Sequence, residues 1–101
     1  MDTDSLSNEA YKAVLIEAEK LSHDLTLWFG ILAGECANEE EYLEEAKKLA
    51  EKIMNAQECE LNDFFWGNPP PKEQIKSTCR KIIRNIREVQ TIPFEKRTFI
   101  F

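Results

Sequence analysis

Apolar residues recur along this chain in steps of three and four, the spacing that puts side chains on one stripe of an α-helix. From Asn8 to Gly34 the stripe runs Tyr11, Val14, Leu15, Ala18, Leu21, Leu25, Trp28, Phe29 and Leu32. From Glu39 to Trp66 it runs Tyr42, Leu43, Ala46, Leu49, Ala50, Ile53, Leu61 and Phe64, and from Lys72 to Gln90 it runs Ile75, Cys79, Ile82, Ile83, Ile86 and Val89. Boundary signals frame the segments. Ser7 or Asn8 and then Asn38 can cap helix starts, with Glu41 placed to reach back toward Asn38. Gly34 is a stop, and Gly67 with Pro69-Pro70-Pro71 is a firm one, because proline lacks the N–H a helix needs. Thr91-Ile92-Pro93 ends the last segment. The pattern predicts an all-α domain spanning 1–101, a three-helix bundle with helices at 8–34, 39–66 and 72–90. Residues 91–101 form an extended apolar tail lying on the bundle or on a partner chain.

The first helix is not uniform. Leu27 and Ile31, with Ile16 and His23, make a second stripe opposite the main one, so that between Leu25 and Leu32 almost no direction is polar. A helix apolar all round must be covered on more than one side. Phe94, Phe99, Ile100 and Phe101 add apolar surface at a terminus that would otherwise fray. Leu27, Ile31, Phe99, Ile100 and Phe101 are therefore the candidate interface, and the expected partner is a second copy of the chain or another protein.

Composition adds limits. With 101 residues, 43% hydrophobic and 32% charged, the chain suits one folded domain. The net charge of −6 is uneven: −4 over residues 1–34, −7 over 35–67 and +5 over 68–101. The basic last third, with Lys72, Lys76, Arg80, Arg84 and Arg87 along one flank, can lie against the acidic middle. An acidic whole argues against nucleic acid, whose binders neutralise phosphates. The acidic start Met1-Asp2-Thr3-Asp4 differs from a secretory signal, and the longest weakly polar run, Leu25 to Gly34, is half the roughly 20 residues of a membrane span. Cys36, Cys59 and Cys79 are scattered, with no CxxC pair, so they read as free thiols; a Cys₃His zinc site with His23 has no local support. These features point to a cytoplasmic protein.

One acidic pattern carries chemistry. Glu40-Glu41-Tyr42-Leu43-Glu44 has the form EExxE, and Glu60-Leu61-Asn62-Asp63 has the form ExxD, with residues 45–59 between them. Over about 24 residues this order resembles the metal-binding signature of the all-α nucleotide pyrophosphohydrolases of the MazG type. The resemblance implies magnesium held by Glu41, Glu44, Glu60 and Asp63, with the nucleotide phosphates carried on the metal. It also implies a turn between the two halves, which only Asn55 to Glu58 can supply; along one continuous helix Glu44 and Glu60 would stand about 24 Å apart. Helical phase, by contrast, places Glu40 and Glu44 toward solvent, opposite Tyr42, Ala46 and Ile53, as an acidic face that suits the helix dipole. Glu60 falls in the apolar stripe, where a carboxylate needs a partner such as Arg80, Arg84 or Arg87. With no convergent catalytic set, the residues favour a non-enzymatic interaction module or homo-oligomer without a cofactor. The path of residues 54–60 separates this from the pyrophosphohydrolase.

Overall fold

The computed structural model describes residues 5–98. The fold is all-α, with no strand among the described residues. Its first segment begins at Ser7, whose hydroxyl accepts from Ala10 N, and comprises α1 (Asn8–Tyr11), a π-helical turn (Lys12–Ile16) and α2 (Glu17–Leu21). There the chain departs from the expected single helix. Ser22 adopts an extended backbone (φ −163°, ψ 138°) and caps α3 (His23–Glu35) by accepting from Asp24 N. The corner at Ser22 folds α3 back along the π turn, so that Leu27 and Ile31 lie beside Tyr11 and Leu15. A rod of roughly 40 Å is replaced by a helical hairpin.

The second segment also breaks. Asn38 caps α4 (Glu39–Met54) by accepting from Glu41 N at 2.9 Å, while Glu41 Oε2 accepts from Ala37 N at 3.0 Å. Asn55 ends α4, and a new start at Gln57 opens α5 (Glu58–Phe64), where Glu60 Oε1 accepts from Gln57 N. After the prolines, α6 (Lys72–Gln90) carries the longest stripe, and a 3₁₀ turn (Phe94–Lys96) follows where extended chain is expected.

Four rods result: 8–21, α3, α4 and α6. They close a ring in which α6 packs on α4 and on the 8–21 rod, and α3 bridges α4 and the π turn. Inside lie Val14, Leu25, Phe29, Tyr42, Leu43, Ile53, Ile75, Ile82 and Ile86, all shielded from solvent. Tyr42 also donates its hydroxyl to the Phe29 carbonyl at 3.1 Å, tying α4 to α3, and burial pushes its phenol well above the ordinary value. Every buried side-chain nitrogen or oxygen among the described residues has a hydrogen-bond partner.

The ends of the described chain meet at the start of α4. Arg97 Nη1 donates to Glu39 Oε2 at 2.6 Å and to Glu40 Oε1 at 2.9 Å, and Arg97 Nε donates to the Ile92 carbonyl. Ser7 N donates to the other Glu39 oxygen at 2.6 Å, while Thr98 N donates to the Glu9 carboxylate and Asn8 N to the Thr98 carbonyl. The Glu39 and Arg97 side chains are each only 2% exposed, so the pair is a buried one. An acidic residue in a helix's first turn is ordinarily solvated; Glu39 lies instead in helical phase with Tyr42, Leu43 and Ala46, on the buried face.

Candidate functional site

The candidate site residues fall into two regions. The first is the apolar face anticipated from residues 25–32. The π turn and the corner at Ser22 rotate Tyr11, Ile16, Leu27 and Ile31 outward, leaving Leu27 41% and Ile31 56% exposed. Tyr11, Leu15, Thr26, Leu27, Gly30 and Ile31 line a groove of about 370 Å³ between the 8–21 rod and α3. Gly30 sits in its floor with open space where a Cβ would project. Tyr11 was expected in the core stripe; the inserted π residue shifts the phase and brings it half out. Phe99, Ile100 and Phe101, the rest of the expected interface, lie outside the described residues.

The second region is acidic. Glu41 is engaged with Ala37 N, and Glu44 accepts from Gln90 Nε2 at 2.8 Å and from Lys47 at 3.1 Å. Those bonds hold the exposed Glu44 carboxyl below its ordinary value, the Gln90 bond contributing most. Glu60 and Asp63 are on α5, beyond the turn. That turn is the one the pyrophosphohydrolase resemblance needs, yet it does not gather the four carboxylates: among the described residues no group of three or more potential metal ligands forms. The same turn corrects the expected pairing of Glu60 with Arg80, Arg84 or Arg87. Resetting the helical phase at Asn55–Gln57 turns Glu60 to solvent, and the three arginines are exposed on α6. What holds α6 to its neighbours electrostatically is Gln90, bridging Glu44 and Lys47 of α4, and Lys81, which reaches Glu17 of α2 at 3.4 Å.

Glu60 and Asp63 face aromatic rings. With Trp28, Lys52 and Phe64 they line a cleft of about 350 Å³. Trp28 is held by its Nε1, which donates to the Phe64 carbonyl at 2.7 Å, and by the edge of the Phe64 ring, with centroids 5.3 Å apart. The Trp66 ring stacks on Trp28 at 5.8 Å and 23°. Phe65 is fully buried, but Trp66 is 59% exposed. Its backbone is unusual. α5 ends with Gly67 N bonded back to the Asn62 carbonyl at 2.7 Å, and Trp66 takes the left-handed position (φ 49°) normally given to glycine. For an L-residue with a side chain this costs about 1–2 kcal/mol.

Of the three thiols, Cys36 and Cys79 are buried and Cys59 is exposed; burial pushes the Cys79 thiol up to about 11, leaving it unreactive at neutral pH. No helix among the described residues is long and apolar enough to cross a membrane. Compared with family models, with curated proteins and with solved structures, the chain matches none.

Proposed function

We propose that this chain is a non-enzymatic, cytoplasmic protein-interaction module that pairs with a second copy of itself through the Tyr11–Leu15–Leu27–Ile31 groove. The observation that carries the reading is the outward groove of the hairpin, where Tyr11, Leu27 and Ile31 stand exposed beside Leu15. Burying such a side chain contributes roughly 1.5–3 kcal/mol, so a symmetric contact of two such faces offsets the association cost of a weak dimer. The free thiols suit a reducing compartment. Sedimentation velocity across a wide concentration range tests it: wild type associates, and Ile31→Glu stays monomeric while keeping its helical spectrum. A wild-type monomer at high concentration overturns it. Removing only residues 99–101 separates a second copy from the chain's own tail as the cover. A truncation at Pro93 would also remove Arg97 and strand the buried Glu39 carboxylate.

A magnesium-dependent nucleotide pyrophosphohydrolase is the second reading. The turn at Asn55–Gln57, which its motif requires, supports it. It expects magnesium binding by calorimetry and turnover of nucleoside triphosphates that Asp63→Ala removes with the fold intact. Wild-type protein that neither binds magnesium nor turns over rejects it.

A further inference from the structure

The cleft between α3 and α5 joins an aromatic wall to a charged rim. Its wall is the Trp28 indole, fixed in orientation by the Phe64 carbonyl and ring, and extended outward by the stacked Trp66. Its rim carries Glu60, which also accepts from Gln57 N, and Asp63 about one helical turn on, with Lys52 lining the same space. Two carboxylates beside an aromatic face make a region of negative potential on an apolar surface, since the face of an indole ring is itself electronegative. The arrangement is poorly suited to an anion, which the carboxylates repel. It is also poorly suited to a bare metal ion, because two monodentate groups leave most of the coordination shell to water. A diffuse, weakly hydrated organic cation meets both halves of the site. It loses little on leaving water, its methyl groups pack on the indole, and its charge is balanced by the carboxylates.

The backbone supports a use for the exposed ring. At the end of α5 a glycine would close the turn without strain, and Gly67 lies next to the position. The chain instead holds a half-exposed tryptophan in the left-handed conformation, with its ring laid on Trp28. Strain retained around an exposed aromatic pair is what a preformed binding wall requires.

The geometry points to a binding site for a quaternary ammonium group in the cleft lined by Trp28, Phe64, Glu60 and Asp63, with Trp66 stacked on the Trp28 ring and the Lys52 ammonium as the competing resident cation. It stands independently of the dimer reading, because the groove beside Leu27 and Ile31 shares none of these residues.

The chain contains 2 tryptophans, Trp28 and Trp66, so its indole fluorescence reports on this cleft alone. The test is a titration of the full-length protein with choline, with 3,3-dimethyl-1-butanol as the neutral isostere and sodium chloride as the ionic-strength control. Choline is expected to give a saturable change with at least tenfold higher affinity than the neutral compound. Glu60→Gln with Asp63→Asn weakens it about tenfold. Lys52→Gln strengthens it severalfold, because the resident cation is removed. Trp66→Gly relieves the strained backbone, so its melting temperature does not fall, yet it loses most of the affinity. A response that does not saturate, that the neutral isostere reproduces, or that survives both the Trp66 and the carboxylate substitutions overturns the assignment.

Discussion

The two ends of α4 use the same side-chain chemistry to opposite effect. At its N-terminus, Glu39 accepts from Ser7 N and from Arg97, and its side chain is almost wholly enclosed. Beyond its C-terminus, Glu60 and Asp63 stand exposed on a short helix, in a cleft they share with Trp28 and Lys52. A carboxylate out of water must be paired and hydrogen-bonded or it destabilises the fold, so the first end is committed to structure. The second end leaves its charges in solvent at little cost and keeps them available to a ligand. The difference shows where this molecule is closed and where it is open. The closed end ties residues 5–9 and 92–98 to the start of α4; the open end carries the strained, exposed tryptophan.

The comparison can be broken most directly at Arg97. Arg97→Ala leaves Glu39 buried without its counter-charge and is expected to cost about 3–5 kcal/mol, read as a fall in the urea midpoint at unchanged slope. Replacing both partners, Glu39→Leu with Arg97→Met, is expected to restore only part of that loss, since the apolar pair needs no counter-charge but leaves the buried Ser7 N without its acceptor. A single substitution costing under about 1 kcal/mol would show that the pair is solvated. Asn38→Ala, which removes the α4 cap beside the same network, is expected to cost about 1 kcal/mol by the same measurement.

Acid acts on weaker contacts. Burial pushes Glu17 up, but the hydrogen bonds from Lys20 and Lys81 outweigh it, so its carboxyl lies below the ordinary value. The Thr98 backbone bond lowers Glu9 similarly. Folded values below unfolded ones mean stability that is present above the ordinary carboxyl value near 4.5 and lost as pH falls through the folded values. A melting temperature that declines below about pH 4.5, less steeply in Glu17→Gln, is the expected outcome. The smallest effect belongs to the open end. Glu60→Gln with Asp63→Asn is expected to change stability by less than about 0.5 kcal/mol, because exposed charges away from a pair contribute little. A large loss there would mean that those carboxylates hold the fold and are not free for a ligand.

How much of this was legible can be followed residue by residue. The α6 stripe is buried as its spacing indicates, Ile75, Cys79, Ile82, Ile83, Ile86 and Val89 all facing inward. Asn38 caps as its residue type suggests. Leu27 and Ile31 lie on a second stripe away from the core, where they are exposed. The breaks were harder to see. Ser22 is an ordinary capping type and Gln57 is not, and each stripe continues across its corner in plausible helical steps, so periodicity alone runs straight through. The π turn after Tyr11 and the break at Asn55–Gln57 shift the helical phase, which is why Tyr11 and Glu60 face solvent and not the core. Glu39 carried a signal, since it is in phase with Tyr42, Leu43 and Ala46, although an acidic residue in a first turn is usually solvated.

The sequence by itself determined that the chain is helical, where most helices start and stop, and which side chains must leave water. Those follow from local hydrogen-bonding demands and from the 3.6-residue repeat, which act over a few neighbouring residues. The tertiary structure alone decided the hairpin at Ser22, the pairing of Glu39 with Arg97 across 58 positions, and the stacking of Trp66 on Trp28. Each joins segments that no local rule connects, and each exists because burial of the four-rod core brings those segments together and requires their polar groups to find partners there.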